Sequence, residues 1–215
     1  MVARAAGGGG GTVQEESANR GHVRWSRFAA LLLPAIALAG AIIVGMANGA
    51  LAASFAVSGQ TFKVSASQLR GEGFVQYPGV AEEIDGTRHP VAVTGIRRAQ
   101  LFDLCQSVKV PGAPVVLTIT AGGGGRPATA EDLLIDLVSL EGDTEFTNIN
   151  TGQDASTLDR GPEGARGAPG AFGQQADAVT ITNLRQVARS TQAGRFNLTG
   201  LRLKVNVGAA AKECF

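Results

Sequence analysis

The stretch Phe196-Asn-Leu-Thr-Gly-Leu-Arg-Leu-Lys-Val-Asn-Val207 carries the pattern that decides the fold. Its apolar and polar residues alternate, which is typical of a half-buried β-strand. Leu198 and Leu201 are three residues apart rather than two, because Thr199-Gly200 lies between them. In a straight strand, the apolar side chains after this point would therefore lie on the opposite face. We therefore predict a two-residue turn there, which places the apolar residues on one face. The turn pairs Leu198 with Leu201 and Phe196 with Leu203.

Copies of this motif recur upstream. They are Phe55-Ala-Val-Ser-Gly59, Val91-Ala-Val-Thr-Gly95 and, more loosely, Phe146 to Gly152. Each ends in glycine, which supplies the positive φ that such turns need. The same parity predicts that Phe55 pairs with Phe62 across Ser58-Gly59.

A second repeat places Asp or Asn before a leucine in an alternating segment. Its copies are Ala99–Gln106, Asp132–Ser139 and Val179–Gln186. Alternation of this kind dominates residues 53–215 and predicts an all-β domain. We favour an antiparallel sheet or sandwich. The alternative is a β-solenoid-like stack of strand–corner units, which the irregular intervals between copies weaken.

Residues 152–175 form the longest stretch without alternation. Glycines fall at every third position from Gly161 to Gly173, the spacing of collagen, with Pro162 and Pro169 between them. Four triplets are few for a triple helix. We predict a flexible, Gly-rich surface loop.

The N-terminal segment predicts a membrane span. Residues 1–27 are polar and predict a disordered cytoplasmic tail, whereas residues 28–52 carry no charge. Twenty apolar residues from Phe28 to Ala47 would cross a bilayer core as a helix of about 30 Å. Because Arg20, Arg24 and Arg27 precede the span, the positive-inside rule places the N-terminus in the cytoplasm and residues 53–215 outside.

Two interpretations of this span stay open. Its length favours an uncleaved signal anchor, and hence a single-pass protein of the cell membrane. The A-x-A sequence Ala50-Leu51-Ala52 favours a signal peptide cleaved near Ala52, and hence a secreted protein.

Composition excludes two classes of protein. Hydrophobic residues make up 44 % of the chain and the formal net charge is +1. A wholly disordered chain would have low hydrophobicity and high net charge. A nucleic-acid-binding domain would usually be strongly basic, so we expect no nucleic-acid partner.

The two cysteines, Cys105 and Cys214, both follow the predicted span. An even number of cysteines in an oxidising compartment predicts a disulfide, which would tie the C-terminal tail to a strand in the middle of the domain.

The sequence predicts no catalytic site, cofactor or metal. His89 is the only histidine after the span, and Glu83 and Asp85 are its acidic neighbours. A hydrolase triad also needs a nucleophile, but no Gly-x-Ser-x-Gly occurs, and Gly142-Asp143-Thr144 has threonine where serine would be needed. The acidic run Glu82-Glu83-Asp85 is a weak calcium candidate by itself. We expect His89 to be a solvated loop residue.

Several segments together resemble an actinobacterial family of exported or single-pass membrane proteins of uncharacterised function. They are Leu51–Val64, Gly73–Tyr77, Pro90–Val93, Leu104–Gln106 and Glu213–Phe215. Many members of that family carry the name "cholesterol esterase". The resemblance implies a cell-envelope context and a neighbouring multi-spanning membrane protein as partner, but it supplies no catalytic residues.

Three functions follow as hypotheses. The favoured one is a non-enzymatic β domain of the cell envelope that binds a partner protein, a lipid or a wall polymer. The second is a lipid or sterol ester hydrolase, as the family's name suggests. The third is a structural protein that assembles with itself at the surface.

Overall fold

A computed structural model describes residues 59–215, which form nine β-strands and two short 3-10 helices. The strands are β1 (Phe62–Glu82), β2 (Arg88–Phe102), β3 (Leu104–Lys109), β4 (Val115–Ala121), β5 (Ala128–Thr147), β6 (Asn150–Asp154), β7 (Phe172–Gln192), β8 (Arg195–Asn197) and β9 (Arg202–Val207). The 3-10 helices are Ala155–Thr157 and Gly208–Ala210. The predicted tail (1–27) and span (28–52) lie outside the described residues, as does Phe55. No helix within residues 59–215 is long and apolar enough to cross a membrane.

Every strand pairing among the described residues is antiparallel, so the predicted all-β antiparallel fold is confirmed and the solenoid-like stack is wrong. β1 pairs with β2 along one edge and with β7 along the other. β5 in turn pairs with both β2 and β7. The four long strands therefore form a sheet that closes on itself.

The interior of this closed sheet holds the main core. Its largest buried side chains include Leu69, Ile96, Leu133 and Leu184. Small residues fill the rest: a Cβ added to Gly71 would lie 2.8 Å from Ile96 Cγ2, closer than such atoms approach in proteins. Four strands enclose a narrow space, so large side chains must alternate with glycine and alanine.

Residues of the second repeat adopt irregular backbone conformations at one level of the sheet. The register places Ser67 of β1 opposite Asp103 on one side and opposite Asn183 on the other. Asp103 and Asn183 both have positive φ, 51° and 55°. Asp and Asn tolerate this conformation better than other non-glycine residues. Ser67 Oγ donates a hydrogen bond to Asp103 Oδ2 at 2.7 Å, which fastens the irregularity to β1.

The predicted hairpin of residues 196–207 is partly wrong. A turn does form, since the Leu201 N–H donates to the Leu198 carbonyl at 3.1 Å and Gly200 has a φ of 69°. The flanking strands do not pair with each other, however: β8 pairs with β5, and β9 pairs with β4. Leu203 therefore lies opposite Ile119 rather than Phe196. The alternation of apolar residues and the position of a turn depend on neighbouring residues in the sequence. The choice of the partner strand does not.

The Gly-rich segment 152–175 is packed rather than free. It begins within β6 and ends within β7, and Ala155 and Leu158 are buried against Val75 in a second apolar cluster. Its glycines allow this approach, because a Cβ added to Gly161 would lie only 2.4 Å from Val75 Cγ2.

Asp154 holds this segment in place. Its carboxylate accepts hydrogen bonds from the Ser156 N–H at 2.9 Å, the Ser156 hydroxyl at 2.8 Å and the Gly170 N–H at 2.8 Å. These hydrogen bonds, with the Ser156 N–H first, lower the pKa of Asp154 from its ordinary value of 3.8.

The Asp154→Ala variant should have a lower Tm than the wild type at neutral pH, and the difference should shrink in acid. A carboxylate whose pKa is lowered by folding stabilises the protein above its unfolded pKa, and this stabilisation is lost as the pH falls through the folded pKa. The measurement is Tm from about pH 7 down to about pH 2 for both proteins. Glu163→Ala, an exposed carboxylate in the same segment, is the control. A Tm difference that stays constant over this range would contradict the assignment.

Candidate functional site

The C-terminal residues lie across β1 and β3 and are fastened there. Cys105 and Cys214 form the predicted disulfide, with 5.9 Å between their Cα atoms. The Cys214 N–H donates to Ser107 Oγ at 3.1 Å, and Ser107 is fully buried. Lys63 Nζ forms a salt bridge of 3.1 Å with Glu213. We call residues 211–215 the C-terminal strap.

The last residue of the strap sits between two cations. Lys63 Nζ donates to the Phe215 carbonyl at 2.9 Å and lies 5.2 Å from the centre of the Phe215 ring. The Arg185 guanidinium lies 5.8 Å from the same ring. Such cation–π contacts, together with the disulfide, hold the strap over one face of β3.

The opposite face of the neighbouring strands is apolar and open. We call β3, β4 and β9 together the wing. In its register Leu117 lies opposite Val205, and Ile119 opposite Leu203. Leu203 and Val205 are 59 % and 61 % exposed, and Leu201 in the preceding turn is 51 % exposed. Contiguous exposed aliphatic side chains of this kind mark interaction surfaces in soluble domains.

The outer edge of β9 is unpaired among the described residues. The Gly208 N–H donates to the Pro114 carbonyl at 2.8 Å, which sets the phase of the β4–β9 ladder. Because bonding directions alternate along an antiparallel strand, Arg202, Lys204 and Asn206 bond to β4. The backbone groups of Leu203 and Val205 point away from the sheet.

The polar face of the wing is basic. It carries Lys109, Arg202 and Lys204, and β3, β4 and β9 contain no acidic residue. Within residues 59–215 none of these three cations forms a salt bridge. The wing thus combines an aliphatic face, a positively charged face and an open strand edge.

His89 lies beside charged side chains at the start of β2. Its Nε2 lies 2.7 Å from Glu83 Oε1, and Arg189 donates to the same oxygen at 3.0 Å. His89 is half-buried, not the solvated loop residue that the sequence predicts, because β2 begins at Arg88 and pairs His89 with Ala81 of β1. Asp85 accepts a hydrogen bond from the Thr87 N–H at 2.9 Å. This bond first, and the charge of His89 last, lower the pKa of Asp85.

The Thr144 hydroxyl, the one closest to a nucleophile motif in the sequence, forms a hydrogen bond within its own strand. Thr144 Oγ1 donates to the Gly142 carbonyl of its own strand at 3.4 Å, and Thr144 lies opposite Ile181 of β7. Among residues 59–215, the polar contact of His89 is with Glu83 and not with a hydroxyl group.

The acidic run at residues 82–85 does not converge on one point. Glu82 faces Arg88 at 3.9 Å, and Glu83 faces His89 and Arg189. Within residues 59–215 no group of three or more His, Cys, Asp or Glu side chains is placed to hold a metal ion.

A cleft of about 450 Å³ is lined by three arginines and three carboxylates: Glu72, Arg97, Arg98, Asp159, Arg160 and Asp177. The charges pair within the cleft, since Arg98 contacts Glu72 and Arg160 lies 3.1 Å from Asp177. Arg97 donates to the Arg160 carbonyl at 2.8 Å. Because two of its three arginines are already paired and its formal charges balance, this cleft offers a charged ligand less than the wing does.

Sequence reasoning missed the wing as a surface. It placed Leu203 and Val205 correctly on one face of a strand, but it paired that strand with the other half of a hairpin and made no prediction about the exposure of the face. The signal that could have indicated exposure is the short spacing of Arg202 and Lys204, since strand edges that face solvent often carry such cations.

The model of one protein family, described as "Family of unknown function (DUF6230)", matches residues 58–215. No curated protein and no solved structure matches the chain.

Removal of the disulfide should lower the free energy of unfolding without changing the fold of the sheet. Closing a loop across 109 residues stabilises by about 4–5 kcal/mol in the chain-entropy model. Denaturant unfolding of the wild type and of Cys105→Ser with Cys214→Ser measures the difference. Non-reducing gels of the wild type should show a mobility shift that either single variant abolishes. A folded wild-type protein that reacts with a thiol reagent would contradict the bridge.

Proposed function

The chain belongs to DUF6230, a family of unknown function, and we propose that its β domain is a non-enzymatic binding module that docks a partner protein through the wing. The observation that carries this proposal is the exposure of Leu203 and Val205, both more than half accessible on an edge strand. Leaving such side chains in water is unfavourable, and a partner that covers them contributes about 25 cal/mol per Å² of apolar area buried.

The wing differs from the other exposed apolar residues of the domain. Val80, Ile84, Ile149 and Phe172 are exposed on separate strands or turns, and Val138 shares β5 only with the less exposed Leu140. Single apolar residues at the surface are common and need no partner. On the wing, by contrast, Leu203 and Val205 continue into half-buried Leu117 and Ile119 of β4, so the apolar area is contiguous.

We further propose that the module acts in the cell envelope, outside the cytoplasm. The cysteine pair supports this location, because disulfides persist in oxidising compartments. The uncharged segment 28–52 and the preceding arginines support a single-pass anchor, or a signal peptide if the chain is cleaved near Ala52. A partner in or near the same membrane would meet the wing at high local concentration, and a neighbouring multi-spanning membrane protein fits that place better than a free lipid or wall polymer.

The two other hypotheses have less support. For a lipid or sterol ester hydrolase, His89 would need a hydroxyl nucleophile, and its contact is with Glu83. For self-assembly, the open edge of β9 would have to pair with a copy of itself, against the repulsion of Arg202 and Lys204.

The docking surface can be tested by photo-crosslinking in native membranes. A photoreactive residue in place of Leu201 should give a crosslinked product, and Leu203→Ser with Val205→Ser should reduce its yield roughly tenfold, as loss of a central apolar contact does. Val138→Ser, a residue 51 % exposed on β5, is the matched control and should leave the product unchanged. Equal yields from the wing variant and the control would contradict docking through the wing.

The proposal also predicts that the purified full-length protein does not hydrolyse esters. General-base catalysis contributes about 10²–10⁴-fold in rate, so the loss of an acting base is readily measured. The assay is hydrolysis of a chromogenic ester by the wild type and by His89→Ala, and we expect no turnover above background from either. Turnover by the wild type that disappears in His89→Ala would establish the hydrolase instead.

A further inference from the structure

We propose that the partner supplies an extended segment in which apolar and acidic residues alternate, and that this segment adds to the sheet as a strand beside β9. The inference rests on the proposed function and identifies the chemistry of its partner. Three independent properties of β9 carry it: the direction of its backbone groups, the face of its aliphatic side chains and the sign of its charges.

The backbone of β9 is prepared to pair with one more strand. Leu203 and Val205 point their N–H and C=O groups away from β4, as the ladder phase set by Gly208 and Pro114 requires. A segment added at a sheet edge binds through hydrogen bonds to such groups, and its alternate side chains contact the two faces of the sheet.

The two faces of β9 specify what those side chains should be. On one face Leu203 and Val205 would contact apolar residues of the added strand. On the other, Arg202 and Lys204 lie two residues apart and are exposed. Opposite charges directly across two strands stabilise the pair, whereas like charges destabilise it. An acidic residue at every second position therefore fits this face.

A second copy of the chain fits the same edge less well. Antiparallel self-pairing that places Leu203 opposite its own copy also places Arg202 opposite Lys204, twice. Registers that separate these cations shorten the overlap, and β9 is only six residues long. The described wing contains no carboxylate that could relieve the repulsion.

The test uses the purified full-length protein in detergent micelles and two short, capped, fluorescent peptides. Valine alternates with glutamate in one peptide and with lysine in the other. Fluorescence anisotropy at low salt should show saturable binding of the glutamate peptide and roughly tenfold weaker binding of the lysine peptide. Arg202→Glu with Lys204→Glu should reverse this preference.

Val205→Pro tests the backbone pairing separately. Proline removes an N–H that points outward and leaves the bonds to β4 in place, as proline on edge strands does. This variant should lose binding of the glutamate peptide, while Val205→Ile, which keeps the N–H, should retain it. An unchanged disulfide mobility shift and circular dichroism spectrum establish that both variants fold.

Four outcomes would overturn the inference. They are no saturable binding of either peptide, equal binding of both, binding that survives Val205→Pro, and a wild-type dimer in light scattering that Val205→Pro dissociates. The last would assign the edge to a second copy. If the peptides fail to bind but Leu203→Ser with Val205→Ser still removes the native crosslink, the strand-addition inference fails and the proposed function stands. If both results are negative, both proposals fall.

Discussion

The pairing of β1 along both of its edges is the constraint on which the rest of the structure depends. A strand bonded to β2 on one side and β7 on the other closes the sheet, and closure with four long strands leaves a narrow interior. The narrow interior has no room for larger side chains at every position, which is why Gly71 and many alanines lie in it. Asp103 and Asn183 flank Ser67 at one level of the sheet, and their positive φ angles distort the backbone there without changing the register.

Closure also explains the wing. β3 continues the course of β2 beyond Asp103, and β4 and β9 pair outward from it rather than within the ring. In the part of the chain that the structure describes, the apolar side chains of β9 stay exposed rather than facing another strand. The C-terminal strap covers the other face of β3, near Ser107 and Cys105, so the two faces of the wing are used differently. The strap occupies one face at β3 only, and at β9 the cations Arg202 and Lys204 on that same face stay exposed, as do Leu203 and Val205 on the other.

What the sequence predicted well is what depends on neighbouring residues. Alternation identified the β class, the parity of Leu201, Leu203 and Val205 placed them on one face, and the turn at Gly200 forms. The partner of β9 could not be predicted in the same way. β9 pairs with β4, some eighty residues earlier in the chain, rather than with its sequence neighbour β8, and this choice depends on long-range contacts that a local pattern does not contain. The packing of segment 152–175 was beyond local patterns for a similar reason: its glycines predicted a flexible surface loop, and that Gly161 lets the backbone approach Val75 is visible only in the fold.

The long-range pairing of β1 with β7 has a consequence for the order of folding. Phe62 meets Ala188, and Cys105 meets Cys214, only after nearly the whole domain has been made. Proteins dominated by such non-local contacts fold in milliseconds to seconds, far more slowly than proteins with local contacts. Until β7 arrives, the meander of β1, β2 and β5 exposes two long unpaired edges, which makes it prone to aggregation. A chain that emerges from its N-terminus must therefore keep this half-built sheet apart from its neighbours, and the disulfide between Cys105 and Cys214 can form only once residue 214 has been made.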